Sequence, residues 1–576
     1  MFYIRIKPIL IILQFCILIY SGCAKQGFPP GGPIDKVPPE VVRVIPDQGA
    51  VFVDPDVRVS FWFSESLQPS SVERAVFITP FQGDGVKIKI KGRRLTIKFP
   101  EPLKRDVTYV ITLGTEIKDY HGNPMSSSFT LAFSTGEKLD EGEISGRVFG
   151  KSSALGVGVW AYRLIDSEDI DPTQKTPDYI VQCEEGGDFI FTHLSQGVYR
   201  VFAVLDRAGD MFYQPGEDDI GITFEDVVIS DTTGLKADSV FFQMFREDTT
   251  LPLLSRAVQI SRNHLLLQFS EPVLSDKPLS EDLFRITLSE DTTTDVAIFD
   301  AYQDPKKKHI IHIVTKDLLG QSKYRVSAVG LHDEQGNILD NEYNTILFSG
   351  NSDPDTTSPK IVEIEPGPGD VDVSLAVNVS IVFNEPMDSS GSSRGLTVKD
   401  TLDRVLDGLV VWQNPQKVTF LPAERLKSQT EYIISIKGEY LRDLAGNSII
   451  DTVCTFKTIN KDTLSSIEGV VYDPDSCAVG RIFVTVRQAE SNGISYSDTI
   501  PGPGEYRIED ILPGLYILEC FRDEDGNGIY SNGRPRPFKP AERFVIDYAD
   551  TIKVRSRWPN EGNDIRLPGS NKRSYR

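Results

Sequence analysis

An acidic loop near the C-terminus has residue types suited to binding a hard cation. Asp523, Asp525 and Asn527 alternate along the sequence and offer side-chain oxygens at every second position before Gly528. Oxygen ligands in this pattern can fold around Ca²⁺, but the twelfth position, where an EF-hand places a bidentate Glu, is Arg534. The pattern therefore leaves two interpretations open, a candidate Ca²⁺ site and a tight Asp/Asn/Gly turn.

Three glutamates recur in one short motif that closes an alternating strand. The copies are Phe63-Ser64-Glu65, Phe269-Ser270-Glu271 and Phe383-Asn384-Glu385. Glycoside hydrolysis needs two carboxylates about 5–10 Å apart in one cleft, and these three fall in separate predicted domains. The favoured interpretation is structural, with each carboxylate accepting backbone donors at a strand end, and shared ligand binding is the alternative.

The six histidines form no metalloprotease spacing. His309 and His312 are three residues apart on a predicted strand, which puts them on opposite faces. No nucleophile elbow, P-loop or dinucleotide fingerprint occurs in a supporting strand and helix context. The sequence therefore predicts a protein that is not an enzyme, unless a cleft between modules collects carboxylates.

The N-terminus predicts export and lipid attachment. Arg5 and Lys7 precede an apolar stretch from Ile9 to Tyr20, and the small residues of Ser21-Gly22-Cys23 follow. The apolar run is shorter than the about 20 residues of a membrane-spanning helix. It resembles a bacterial lipoprotein signal, which implies cleavage before Cys23, transfer of diacylglycerol to its sulfur, and a stable membrane anchor. A retained transmembrane helix and ordinary secretion are the alternatives.

Charge and cysteine content exclude other classes. The formal net charge of -22 argues against nucleic acid as a partner. Besides Cys16 and Cys23, the chain has only four cysteines, too few for a disulfide framework. Cys477 and Cys520 lie in one predicted domain, where they form either a bridge or two free thiols.

A pattern of strands, called A, occurs three times. Before the first glutamate, Val57, Val59, Phe61 and Phe63 alternate with other residues, which predicts one buried face. In each copy a leucine precedes a tyrosine by six residues: Leu103 and Tyr109, Leu318 and Tyr324, Leu426 and Tyr432. Each tyrosine opens an alternating strand and resembles the tyrosine corner of Ig-like sandwiches, whose hydroxyl ties a loop to the core.

A second pattern, called B, occurs twice. It starts with Ile144–Val148 and Ile467–Val471, and two aromatic residues ten apart follow in each copy. Short strands separated by Gly or Pro turns predict small antiparallel sandwiches here too. The order of the patterns is A-B-A-A-B.

The sequence thus predicts an all-β chain of tandem β-sandwiches behind a lipoprotein signal peptide. The A copies resemble Ig-like sandwiches, and the B copies resemble transthyretin-like sandwiches. The predicted segments are the signal peptide (1–22), a linker after the lipidated cysteine (23–36), Ig-like domains (37–137, a degenerate 250–350, and 357–459), B-type sandwiches (140–245 and 464–567) and a flexible basic tail (568–576). Brief linkers, partly stiffened by proline, favour a semi-extended string of modules.

Two resemblances follow from these motifs. The first and third A copies, led in by Pro38–Val42 and Ser358–Val362, resemble bacterial Ig-like domains of the S-layer-protein type. The B copies, through Ile-x-Gly-x-Val and Leu512–Tyr516, are similar to carboxypeptidase regulatory-like sandwiches. With Cys23 and Gly31–Asp35, the whole chain resembles Ig-like-domain lipoproteins of Bacteroidota-type bacteria. This implies lipid anchoring to the bacterial outer membrane, facing the periplasm or the medium, and says little about a ligand.

The functional expectation is a non-enzymatic envelope lipoprotein, with no cofactor besides the candidate Ca²⁺. Its modules would serve scaffolding, adhesion or binding of an envelope protein or polysaccharide. The alternative is a carbohydrate-binding or hydrolytic protein with a site between modules. Candidate sugar-stacking aromatics are Trp62, Trp160, Trp412 and Trp558.

Overall fold

The computed structural model describes residues 35–569 except 74, 81, 83–84, 151–153, 155, 166–168, 185, 233, 390–393 and 491–492. The chain forms two compact units, Met1–Leu139 and Asp140–Arg576. The described residues contain strands and short 3-10 turns but no α-helix. None of these 3-10 turns is long and apolar enough to cross a membrane. Cys23 and the predicted signal peptide lie outside the described residues.

The first Ig-like module is a seven-stranded sandwich in the first unit. Its strands are β1 (Val41–Ile45), β2 (Arg58–Phe63), β3 (Val76–Thr79), β4 (Lys87–Lys91), β5 (Arg94–Lys98), β6 (Thr108–Leu113) and β7 (Phe129–Ser134). The sheet orders β1-β2-β5-β4 and β3-β6-β7 match the constant-type immunoglobulin arrangement. The period-two residues Phe61, Ile97, Ile111 and Phe133 meet between the sheets, and all are fully buried.

The first B module opens the second unit with two sheets. Its strands are β8 (Gly142–Phe149), β9 (Gly158–Leu164), β10 (Tyr179–Gln182), β11 (Asp188–Leu194), β12 (Gly197–Leu205), β13 (Asp219–Ile222), β14 (Val227–Ile229), β15 (Lys236–Gln243) and β16 (Phe245–Arg246). One sheet is β11-β8-β15, in which β15 runs parallel to β8. The other runs β10-β9-β12-β13-β16, with β14 also pairing with β12.

The second and third Ig-like modules repeat the topology of the first. Their strands are β17 (Leu254–Ser261), β18 (His264–Phe269), β19 (Phe284–Leu288), β20 (Ile298–Gln303), β21 (Ile310–Thr315), β22 (Lys323–Ala328) and β23 (Thr345–Ser349), then β24 (Ile361–Glu365), β25 (Val379–Phe383), β26 (Leu396–Asp400), β27 (Gly408–Asn414), β28 (Lys417–Pro422), β29 (Glu431–Ile436) and β30 (Thr452–Lys457). The sheets are β17-β18-β21-β20 with β19-β22-β23, and β24-β25-β28-β27 with β26-β29-β30. Each module has its own buried core.

The second B module ends the described chain. Its strands are β31 (Ser465–Tyr472), β32 (Arg481–Gln488), β33 (Ser495–Ile500), β34 (Gly504–Ile511), β35 (Gly514–Asp523), β36 (Arg534–Pro535), β37 (Phe538–Lys539), β38 (Phe544–Val554) and β39 (Ile565–Arg566). As in the first B module, a late strand, β39, runs parallel to the opening strand. The glycine of the Ile-x-Gly-x-Val motif permits this close approach, because a Cβ on Gly469 would lie 2.2 Å from the Asn563 carbonyl oxygen.

The two B modules pack against each other. The rings of Phe149 and Phe241 contact Phe544 of the second B module at centroid distances of 5.7 and 6.3 Å, and Phe202 contacts Phe538 at 6.2 Å. The prediction of a semi-extended string is therefore wrong for this pair. Residues on both faces of β9 and β12 are buried, and burial of apolar area favours the contact.

Each Ig-like module contains a buried tyrosine that ties a loop to its core. The hydroxyls of Tyr109 and Tyr432 accept hydrogen bonds from the amides of Lys104 and Lys427, at 2.8 and 2.9 Å. Tyr324 accepts from the Gly320 amide at 2.9 Å. All three rings stack on a phenylalanine directly opposite on the next strand, at 5.3–5.7 Å. The repeated tyrosine thus joins loop, strand and core.

Replacing Tyr432 by Phe is expected to destabilise the third Ig-like module by about 1–2 kcal/mol, because the Lys427 amide loses its partner while the ring contact stays. The measurement is hydrogen exchange of β29 peptides, where protection should fall. Tyr440→Phe, at a residue 36% exposed in the same module, is the matched control and should change protection little. Equal effects of the two substitutions would contradict a role for the hydroxyl.

Candidate functional site

Each Ig-like module brings three carboxylates together, one set per module. In each set, one ligand atom from every side chain lies within 4.8 Å of the others. The first triad is Asp35, Glu65 and Asp119; the second is Asp248, Glu271 and Asp333; the third is Asp355, Glu385 and Asp443. Three polypeptide segments supply them: the linker before the module, the end of its second strand, and a turn after its sixth strand.

The residue before each glutamate fixes where the glutamate lies. In the third module Asn384 Oδ1 accepts the Lys360 amide at 2.6 Å, and the Asn384 amide donates to the Lys360 carbonyl at 3.0 Å. Ser64 and Ser270 make the same paired contacts in the other two modules. This pair of hydrogen bonds joins the preceding linker to the end of the second strand. It therefore fixes the backbone next to Glu385.

The turn aspartate is held by its own loop. Asp443 Oδ1 accepts the amides of Ala445 and Asn447 at 2.9 and 2.8 Å, and Oδ2 accepts Asn447 Nδ2 at 2.8 Å. The same three bonds occur around Asp119 and Asp333. Burial opposes ionisation of Asp119, but the bonds from Asn123 and from the His121 and Gly122 amides outweigh it and lower its pKa.

The linker aspartate is tied to that turn through its backbone. The second Nδ2 contact of Asn447 is with the Asp355 carbonyl at 3.2 Å, and Asn337 bonds the Asp248 carbonyl at 2.8 Å. Asn123 does the same to Asp35 at 3.2 Å. One oxygen of each linker aspartate also accepts the amide two residues later. The Asn of each turn thus draws the linker carboxylate toward the glutamate.

The glutamates have few partners of their own. Glu385 is 8% exposed and has one described hydrogen bond, which the side-chain Nδ2 of Asn384 donates to its Oε1 at 3.2 Å. Burial, with Asp355 and Asp443 nearby, raises the pKa of Glu385 to about 7. Burial and the neighbouring aspartates also raise the pKa of Glu65 and of Glu271. The sequence interpretation had these carboxylates accepting backbone amides, and the described hydrogen bonds include none of that kind.

The first triad differs by one imidazole. His121 Nδ1 lies 3.4 Å from Asp35 Oδ2 and 3.9 Å from Asp119 Oδ2, and the side chain is 61% exposed. The equivalent positions in the other turns are Gln335 and Ala445. His121 therefore adds an imidazole nitrogen beside the three carboxylates of the first triad.

A cavity of about 330 Å³ adjoins the third triad. Residues of the second Ig-like module, including Gln259 and Arg262, line one side, and Asp355, Lys360 and Glu385 line the other. The buried Nε of Arg262 has no hydrogen-bond partner, and no ion pair joins Arg262 to the triad among the described contacts. The third triad therefore lies where two modules meet.

The C-terminal acidic loop gathers a different set. Asp523 and Asp525 come together with Glu542, which is buried, while Asn527 donates to Ser531 Oγ at 3.0 Å. Backbone amides occupy these acids: Asp523 accepts those of Gly526, Asn527 and Gly528, and Glu542 accepts those of Glu524 and Ser531. Lys539 Nζ also lies 3.3 Å from Asp525 Oδ2. The Ca²⁺ site here stays a prediction.

The other candidate histidines, tryptophans and cysteines named above do not come together in one site among the described residues. His312 contacts His264, with 2.7 Å between ring nitrogens, and His309 takes no part in this pair. Trp160 is buried, so it offers no sugar-stacking surface; Trp62 lies between Arg43 and Arg94; Trp558 is 72% exposed. Cys477 and Cys520 are both free, the first exposed and the second buried, so no bridge joins them.

The sequence interpretation missed the linker aspartates. Asp35, Asp248 and Asp355 each precede a proline by four residues, in the linkers before the three predicted Ig-like domains. That spacing, together with the Asn that ends each Asp-x-x-Gly-Asn turn, was the available signal. Glu542 lacked any such signal, because it reaches the acidic loop from a later segment.

Comparison with known proteins identifies the class of module. The family model described as "Bacterial Ig-like domain" matches residues 35–135 and 355–458. The chain therefore carries tandem bacterial Ig-like domains in an all-β architecture. No curated protein matches the chain.

Several solved structures match parts of the chain at low sequence identity. The N-terminal part of the bacterial S-layer protein SbsC is 17% identical, with a TM-score of 0.16, over 36% of this chain and 44% of that one. An L,D-transpeptidase from Mycobacterium smegmatis is 13% identical, with a TM-score of 0.16, over 38% and 92%. The chain spans less than half of the SbsC fragment, and these scores are too low to carry a functional argument.

Proposed function

We propose that this chain is a non-enzymatic cell-envelope lipoprotein that presents its sandwich modules as a scaffold or adhesion surface for an envelope protein or polysaccharide. One observation carries the proposal: the carboxylate triads occur once per Ig-like module, at the same topological position. An enzyme needs its acid, base and substrate to converge in one place. A carboxylate triad repeated once in each Ig-like module is typical of an array of similar modules.

Anchoring through Cys23 completes the proposal, with the chain held at the bacterial outer membrane and facing the periplasm or the medium. The supporting observation is the basic, apolar and small-residue sequence before Cys23. Stable attachment takes two lipid chains, or one chain plus a second signal. Diacylglycerol on the sulfur would supply two chains.

The alternative, a hydrolytic or carbohydrate-binding protein with a site between modules, has one observation in its favour. The cavity beside the third triad holds Asp355 and Glu385 between two modules. The described lining residues include no aromatic ring on which a sugar could stack. The same carboxylates recur in the other two modules, so the repeated structural role accounts for more of the chain.

Replacing Cys23 by Ala is expected to abolish incorporation of a palmitate analogue and to move the chain from the membrane to the soluble fraction. The matched control is Cys16→Ala, in the segment predicted to be removed, which should leave labelling and fractionation unchanged. Protease treatment of intact cells then reports which side the modules face. Retained label and retained membrane fractionation in Cys23→Ala would overturn the lipoprotein assignment.

A further inference from the structure

The spread of each triad fits a single hard cation. Ca²⁺ binds oxygen ligands at about 2.3–2.6 Å, so two ligand atoms on opposite sides of one ion lie about 5 Å apart. The three carboxylates of each triad offer atoms within 4.8 Å of one another. One ion can therefore contact all three carboxylates without moving the backbone.

An independent observation comes from Glu385. This side chain is more than nine-tenths buried, and its Oε2 has no hydrogen-bond partner among the described residues. It faces Asp355 and Asp443, both carboxylates. A carboxylate so little exposed, beside two other carboxylates, is costly to keep charged unless a proton or a cation joins it. Glu271, in the equivalent place of the second module, is partly buried and has no described hydrogen bond.

We propose that each triad binds one Ca²⁺ ion, and that the ion fastens each Ig-like module to the linker that precedes it. The ligands are carboxylate oxygens, which suit Ca²⁺ or Mg²⁺ over softer metals. Ca²⁺ accepts irregular sets of six to eight oxygens, and water can complete them, whereas Mg²⁺ demands near-octahedral geometry. Carboxylates supplied by three separate segments, with water to complete the set, therefore favour Ca²⁺ over Mg²⁺.

The linkers that supply the first ligand are held to the preceding modules as well. Glu247, next to Asp248, accepts a hydrogen bond from Tyr213 of the first B module at 3.0 Å. Asn351, shortly before Asp355, exchanges two hydrogen bonds with Gln259 of the second Ig-like module, at 2.7 and 2.9 Å. Each of these two linkers is thus already bonded to the module before it. An ion at the second or third triad would bind the linker to the module after it as well, and so stiffen the junction. This inference does not depend on the lipid anchor.

The test is hydrogen exchange of the full chain with and without 10 mM Ca²⁺. For the dissociation constants of about 10⁻⁴–10⁻³ M typical of extracellular sites, protection of residues 355–360 and 443–449 should rise about 10- to 100-fold. Glu385→Gln should remove this gain and leave the module folded, because the described hydrogen bonds of Glu385 include no backbone amide. Glu431→Gln, at an exposed position in the same module, should retain the gain.

Three results would overturn the inference. The first is no Ca²⁺-dependent protection at any triad. The second is an equal gain in Glu385→Gln, and the third is protection confined to the acidic loop at Asp523. Equilibrium dialysis of the same chain with radioactive Ca²⁺ supplies an independent count, in which Glu385→Gln should lose one bound ion relative to the unaltered chain. An unchanged count would contradict the proposal even if that variant were less stable.

Discussion

Replacing Asp473 by Asn is expected to lower the free energy of unfolding of the second B module by about 3–5 kcal/mol. The Asp473 carboxylate is fully buried and contacts two guanidinium groups, Arg522 and Arg543, that are 4% and 2% exposed. Arg543 reaches both carboxylate oxygens at 2.7 and 3.0 Å, and Arg522 reaches one at 2.5 Å. The amide in the variant would leave two buried cations with much less compensating charge.

The pKa values agree with this account. Burial opposes ionisation of Asp473, yet Arg543, the Asp475 amide and Arg522 together outweigh it and lower the pKa of the carboxyl. Burial likewise opposes the charge of Arg543, and Asp473 and Glu524 outweigh it to raise that pKa. Since the folded pKa of Asp473 lies below its usual 3.8, the stabilisation is complete above that pH and is lost only in stronger acid.

The matched control is Asp188→Asn in the first B module. Asp188 pairs with Arg147 at 2.7 Å, but the two side chains are 49% and 41% exposed, and such pairs contribute about 0–1 kcal/mol. Urea unfolding followed by pulsed hydrogen exchange would measure each module separately. If Asp473→Asn cost no more than Asp188→Asn, the buried network would not stabilise the module.

The Ig-like topology could be predicted from the sequence because its signals are local. The alternation before Phe63 predicted the core face of the second strand, and Tyr109 and Tyr432 predicted the sixth strand of their modules. A hydrophobic period of two reports burial on one side of one strand. The packing of the two B modules could not be predicted this way, because residues such as Phe202 and Phe538 are far apart in sequence and belong to separate modules.

The triads could be predicted only in part, for a related reason. Repetition identified the glutamates. Asp333 and Asp443 each begin an Asp-x-x-Gly-Asn segment, whose Asp and Gly favour a turn. Their meeting depends on the linker, which the Asn447 side chain draws in by one bond to the Asp355 carbonyl. The pairing of His264 with His312 likewise depends on the register between β18 and β21, which places Leu266 opposite His312. Sequence alone does not give that register.

Acidification is expected to destabilise the second Ig-like module well before its carboxylates titrate. His264 is 2% exposed, its Nδ1 has no described partner, and burial together with nearby His312 lowers its pKa to about 3. Tyr302 stacks on His312, and Asp304 bonds His312 Nε2 at 3.0 Å. A proton on His264 would therefore charge a group with little access to water.

The sign follows from proton binding in the two states. Between pH 6.5 and about 3 the unfolded chain protonates His264 and the folded chain does not, so stability falls as the pH falls, by about 1.4 kcal/mol per pH unit. The loss at pH 4.5 is then about 3 kcal/mol relative to pH 6.5 or above. Burial raises the pKa of Asp304, but the hydrogen bonds from His312 and from backbone amides outweigh it and lower the pKa to about 2. Asp304 therefore adds a further loss of stability only below about pH 4.

Urea midpoints of the second Ig-like module at pH 7.5, 6.5, 5.5 and 4.5, read by exchange pulses at one fixed pH, test this dependence. His264→Leu should flatten the slope between pH 6.5 and 4.5, whatever its effect on stability at neutral pH. His309→Gln removes a histidine outside the buried pair and should leave the slope in place. If the dependence of stability on pH survived in His264→Leu, the acid sensitivity would belong to another group, because leucine takes up no proton on unfolding.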